Sequence, residues 1–213
     1  MYNIRVKEGF QRRPLNVNEP ISFTKAQKEV IFGTLLGDSH LSLSKKSINP
    51  SFQCSHSLTQ KEYVEYKHHL LSPYSKYVEY TRKTIDKRTG IYYKSSEISI
   101  GANESFHQFY KKFYKEKGKI IPIDFLEEYY SPLALAIHFM DDGNKSNSYT
   151  IATCSFPEQN INQYRDFLLS KYLIETTIQR RNNIVYVRAR SREKFTELIR
   201  PYIIDSMKYK MVT

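Results

Sequence analysis

Tryptophan is absent from these 213 residues and cysteine occurs only twice. Cys54 and Cys154 stand in unlike neighbourhoods without a second pair, so neither a disulfide framework nor a zinc cage is indicated, and a reducing compartment is expected. Long apolar runs are missing as well: no stretch approaches the roughly 20 residues needed to span a bilayer. Residues 1–20 are polar, with Arg12, Arg13, Pro14 and Pro20, and lack the apolar run of a signal peptide. No nucleophilic triad is evident, and no long polar linker separates the halves. These absences point to a soluble, intracellular chain with no membrane partner, built as two subdomains that share one core.

What is present is positive charge and tyrosine. Thirty-three Lys and Arg stand against twenty-two Asp and Glu, a formal charge of +11, and there are eighteen Tyr. That balance favours a polyanionic partner, and Tyr-rich basic strands suit nucleic acid.

Two short runs organise the rest: Ile31-Phe32-Gly33-Thr34-Leu35-Leu36-Gly37-Asp38-Ser39 and Leu135-Ala136-Ile137-His138-Phe139-Met140-Asp141-Asp142-Gly143. Each is an apolar, helix-length run that ends in acid. Leu133, Ala136, Ile137 and Met140 share one helical face and Leu135, His138 and Phe139 another, so the second helix is expected to be buried on both sides. Gly33 and Gly37 lie four apart, which lets a second backbone come close. A carboxylate at a helix C-terminus opposes the helix dipole at a cost of about 0.3–1 kcal/mol. One Asp-Gly or Asp-Ser pair taken alone would be an ordinary turn start. Two in matching context favour a cation: parallel helices with level ends would let Asp38 and Asp142 form an oxygen-rich site suited to Mg2+, with Mn2+ or Ca2+ able to use the same oxygens. His138 reads as a hydrogen-bonded core histidine, and His68 and His69 lack metal-ligand partners.

The chain reads as an internal duplication. Thr24 and Gln27 form a capping box for a helix to Asp38. Strands at 39–44 and 51–57 follow, then a helix from Thr59 to about Leu71, a hairpin over 76–100 turning at Arg88-Thr89-Gly90, and a helix at 103–114. The second half repeats the order: helix to Asp142, strand 148–155, helix 157–171, a hairpin over 172–180 and 184–190 turning at Asn182-Asn183, and helix 192–199. The tail 201–211 reads as helical. Alternation over 184–190 puts Val185, Val187 and Ala189 inward and Ile184, Tyr186, Arg188 and Arg190 on the open face. Such a two-stranded ribbon fits the major groove of a double-stranded DNA target. The expected DNA-contacting set is Lys45, Lys46, Arg82, Lys83, Lys87, Arg88, Lys94, Arg180, Arg181, Tyr186, Arg188 and Arg190.

The two acid-ended runs resemble the paired signature motifs of LAGLIDADG homing endonucleases, in particular the single-chain, intron-encoded kind. The resemblance implies an α+β fold of two pseudo-symmetric αββαββα subdomains packed through the paired motif helices, each with a curved antiparallel DNA-binding sheet. The expected division is an extension over 1–20, subdomains over 21–118 and 131–213, and a linker over 119–130. It implies that Asp38 and Asp142 are catalytic and hold metal, with the carbonyls of Gly37 and Asp141 as further metal oxygens. It also implies catalytic lysines at Lys119 and Lys210, with Lys208 an alternative to the latter, and Gln53 as a supporting polar residue. The implied activity is monomeric, Mg2+-dependent cleavage of both strands at a long, imperfectly symmetric site, leaving short 3′ overhangs. The alternative is an RNA maturase acting on its own intron, or a non-cleaving DNA-binding protein on the same scaffold.

Overall fold

The computed structural model describes residues 19–81, 85, 88–115, 118–179 and 181–212. The first helix, α1 (Lys25–Leu36), opens on the capping box: Thr24 Oγ1 accepts from the Gln27 amide at 3.2 Å and the Thr24 amide donates to Gln27 Oε1 at 3.1 Å. Only Gly37 and Asp38 separate it from β1 (Ser39–Ser42). There follow β2 (Ser51–Ser57), α2 (Lys61–Leu70), β3 (Lys76–Thr81), β4 (Lys94–Ile100) and α3 (His107–Phe113). A short ribbon of β5 (Tyr114–Lys115) and β6 (Gly118–Lys119) leads to α4 (Ile123–Tyr129), a helix within the stretch expected to be a linker. The second half then runs α5 (Pro132–Asp142), β7 (Gly143–Lys145), β8 (Tyr149–Ala152), α6 (Glu158–Tyr172), β9 (Thr176–Gln179), β10 (Ile184–Val187) and α7 (Arg192–Ile199).

Both halves form a four-stranded antiparallel sheet with the same strand order, β1-β2-β4-β3 and β7-β8-β10-β9. The duplication read from the sequence is therefore a duplication of topology, αββαββα twice. Burial alternates along β2 and β10, so each sheet turns one face to the core and leaves the other open.

Three further details differ from the sequence reading. The second sheet has an edge strand, β7, that begins immediately at Gly143; three residues are too short to show a period of two. The strand expected over 184–190 stops at Val187: Arg188 leads into a single 3-10 turn at Ala189–Ser191, so Ala189 is exposed rather than inward, and Arg188 and Arg190 are not on the sheet's open face. Arg190 instead pairs with Glu175. The tail is helical only as two 3-10 segments, Arg200–Tyr202 and Asp205–Lys210. Among the described residues no helix is long and apolar enough to cross a membrane.

The helix pair at the centre is held by glycine. A Cβ on Gly33 would lie 2.5 Å from the Ala134 carbonyl oxygen, and one on Gly37 would lie 2.4 Å from Asp141 Cβ. Residue numbers rise together along the contact, so α1 and α5 run parallel and end level. Residues Ala134 to Asp141 of α5 are all buried, as its all-round apolar pattern requires. Ser131 caps α5 and also donates to Glu29 on α1 at 2.7 Å, fixing the start of the interface. Gly33→Ala drives a methyl into backbone that cannot swing aside. It is expected to cost about 1–3 kcal/mol in a urea unfolding titration, the range for overpacking.

Candidate active site at the level helix ends

Neither α1 nor α5 has a basic residue in its last turn, although the dipole there would favour one. Instead acids occupy both ends, and lysines arrive from other parts of the chain. Lys119 comes from β6, and its ammonium donates to the Ser39 carbonyl at 3.0 Å. Lys210 comes from the C-terminal 3-10 segment and donates to the carbonyls of Met140 at 2.6 Å and Asp141 at 3.0 Å. Lys208, two residues before it, is exposed and pairs with Asp205 at 2.6 Å. The fold thus brings Asp38, Asp142, Lys119 and Lys210 together and leaves Lys208 outside.

The four groups perturb one another. Burial, then the neighbouring Asp38 and Asp141, push the Asp142 carboxyl up to about 7 against the pull of Lys119 and Lys210. Asp38 is raised by burial and by Asp141, and the same two lysines together with Lys67 oppose the rise. Burial lowers Lys119 to about 8 against the three aspartates, and lowers Lys210 likewise. Among the described residues no hydrogen bond or ion pair engages the Asp142 carboxylate. Burial is the largest cause of the rise at both carboxylates, and Asp38 adds to it at Asp142, so the two acids stand close together in partly desolvated surroundings. Hard oxygen donors in such a place fit a divalent cation.

Asp141 plays a different part from its neighbour. Its side chain has no exposed surface, whereas that of Asp38 is 43% exposed. Its Oδ2 accepts the Asp38 amide at 3.3 Å and its Oδ1 accepts the Lys67 ammonium at 3.0 Å. The carboxylate occupies the space that Gly37 leaves open. Burial works against its charge, but Lys67 and His56 overrule burial and hold it below the usual carboxylate range. The Asp141 carbonyl, expected from resemblance to face metal, already accepts from Lys210.

Sequence reasoning missed Lys67, Cys54 and His56 as members of this site. His56 Nδ1 lies 3.5 Å from Asp38 Oδ2. Burial, and then Lys67, lower His56 to about 4, so it is neutral at pH 7. Burial raises the Cys54 thiol to about 12. A signal existed: Cys54 and His56 are two apart on a strand and so share a face, and Lys67 sits four residues after Tyr63 on the inward stripe of α2. His138 is the buried core histidine expected, its Nδ1 2.8 Å from the Tyr130 hydroxyl.

The expected DNA-contacting residues scatter along the sheets and their connections. Lys45 and Lys46 are exposed in the β1–β2 turn, Arg88 is exposed in the β3–β4 turn, and Lys94 is exposed where β4 opens. Arg181 is exposed in the β9–β10 turn, and Tyr186 is half-buried on β10 opposite Thr150 and Thr177. Arg82, Lys83, Lys87 and Arg180 lie outside the described residues. Gln53 is half-buried on β2.

Two parallel helices ending level in acid, each feeding an antiparallel sheet of the same order, define a class. The model of the LAGLIDADG DNA endonuclease family matches residues 28–198, and the chain belongs to that family. It is 28% identical over 208 residues to the cytochrome b mRNA maturase bI2 of Debaryomyces hansenii, covering 92% of this chain and 77% of the relative. It is also 28% identical over 211 residues to the DNA endonuclease I-ChuI of Chlamydomonas applanata, covering 90% and 96%. Its fold is similar to that of the homing endonuclease I-WcaI, solved bound to its DNA recognition sequence, with a TM-score of 0.80 and 24% identity over 90% of this chain and 88% of that one.

Proposed function

We propose that this chain is a site-specific endonuclease that hydrolyses both strands of a long, imperfectly symmetric DNA duplex with a divalent metal, Mg2+ by preference. The observation that carries the proposal is the meeting of Asp38 and Asp142 at the level ends of two parallel helices, Asp142 raised by burial and by Asp38, Asp38 by burial and by Asp141, and both flanked by Lys119 and Lys210. Asp38 and Asp142 would hold the metal, which when bound supplies an activated water and offsets charge at the phosphate. Lys119 and Lys210 put positive charge beside the scissile phosphates and so offset the charge that builds there during hydrolysis. Carbonyl contacts to Ser39, Met140 and Asp141 hold the two ammoniums in place. One chain supplies both halves, so the two sheets would lie along one duplex, and residues 119–130 would join the two subdomains.

Selection of cleaved sites from a randomised duplex library, with and without Mg2+, tests the proposal. Cleavage at one long consensus that stops on chelation supports it; duplex binding without metal-dependent nicking overturns it. Binding is expected to weaken steeply with salt through release of counterions from phosphate. Lys94→Ala should lower affinity similarly for all sequences and reduce the slope of log affinity against log salt by about one.

A second reading, assistance in splicing of a host intron RNA, is favoured by the likeness to a cytochrome b mRNA maturase. A splicing assay on the intron that encodes the chain separates the two: rescue of splicing that survives loss of both Asp38 and Asp142 carboxylates would place the RNA role on another surface.

A further inference from the structure

Beneath the paired acids lies a cluster that the cleavage chemistry leaves unused. The Lys67 ammonium is fully buried and carries three protons. Three acceptors surround it: His56 Nε2 at 2.7 Å, Asp141 Oδ1 at 3.0 Å and Cys54 Sγ at 3.1 Å. The Tyr63 ring closes another side, with its centroid 4.2 Å away. A cysteine sulfur, an imidazole nitrogen and a carboxylate oxygen converging on one point are the donor set of a metal centre. Here an ammonium fills the middle.

The arrangement is also one-sided. Asp141 reaches across from α5 to accept the Asp38 amide. The corresponding position in the first motif is Gly37, which has no side chain to reach back toward Asp142. With Nε2 accepting from Lys67, His56 Nδ1 carries the hydrogen and donates to Gln60 Oε1 at 3.0 Å, and Gln60 donates to the Tyr209 hydroxyl at 3.0 Å. The same brace therefore ends one residue before Lys210.

Resting on the endonuclease reading above, we infer that Lys67 is a resident internal cation that positions Asp141 and, through the Asp38 amide, braces only one of the two strand-cutting ends. Lys67 touches no substrate and acts through Asp141, so it is a positioning residue. Its loss unbalances the two cuts rather than abolishing one outright.

The test is strand-resolved nicking of a target duplex carrying a different label on each strand. In Lys67→Met one strand is expected to be cut about 10- to 100-fold more slowly than by the unaltered chain, with the other strand within about threefold, so that singly nicked duplex accumulates. A loss of folded protein slows both strands alike, so rates are taken per folded molecule at a temperature where circular dichroism shows the variant folded; on that basis equal losses, or none, overturn the inference. An unaltered chain that cuts no duplex overturns the endonuclease reading, and the positioning role falls with it. A second variant keeps the cage itself testable without cleavage. Lys67→Ala, in a Cys154→Ser background, opens a Cys54/His56/Asp141 site and is titrated with Co2+. A thiolate-to-cobalt absorption band with a rise in Tm, both lost when Cys54→Ala is added, supports a cage built for a cation. Absence of the band overturns it.

Discussion

Asp142→Asn is expected to lower double-strand cleavage at the target by about 10²- to 10³-fold or more, the scale of losing one electrostatic contact to a reacting centre. Asparagine keeps the size and one oxygen of the side chain but removes the charge that holds a divalent ion. The same change takes a negative group away from the phosphates. Binding measured by gel shift in chelator should therefore stay the same or tighten, and cleavage and affinity should move in opposite directions. Asp38→Asn is expected to behave alike. The surrounding protein supports this separation, because among the described residues no hydrogen bond or ion pair engages the Asp142 carboxylate. Cleavage by Asp142→Asn at the unaltered rate would remove the metal site from the end of α5.

Lys67→Met is expected to carry the largest cost in stability, about 3–5 kcal/mol in chemical unfolding, the range for stranding one partner of a buried ion pair. The Asp141 and Lys67 side chains have no exposed surface at all and meet at 3.0 Å. Methionine fills the same volume, but it leaves the Asp141 carboxylate in the interior without the ammonium that meets it at 3.0 Å. Removing both charges in Lys67→Met with Asp141→Asn should return part of the loss, and the double-mutant cycle should give a coupling of about 0.5–3 kcal/mol. Additive losses would mean that the pair is held by its surroundings rather than by its charges. The cost is tolerated in the natural chain because all three ammonium protons find acceptors, which is the condition for a buried cation to be stable.

The helix starts were legible because capping is local: Thr24 and Gln27 are three residues apart and satisfy each other's backbone hydrogen bonds whatever the rest of the chain does. The turn at Arg88-Thr89-Gly90 was legible for the same kind of reason, with Gly90 taking a φ of 69°. α4 was not, because seven residues between two apolar segments carry little periodic signal. The end of β10 was missed because alternation in side-chain type continues to Arg190, while the backbone turns after Arg188, with the Ser191 amide donating to the Arg188 carbonyl, and the chain leaves the sheet.

The sequence alone determined the two acid-ended helices, their close approach through Gly33 and Gly37, the repeated order of elements and the basic balance of charge, since each is written in neighbours a few positions apart. Tertiary structure alone decided that Lys210 and not Lys208 reaches the acids, and that Lys67, Cys54, His56 and Asp141 converge beneath one acid and not the other. Those residues are up to 87 positions apart, between Cys54 and Asp141, and nothing local to any one of them specifies the others. A buried charge is stable only where the fold delivers its partners, so its role becomes visible only when the partners are in place.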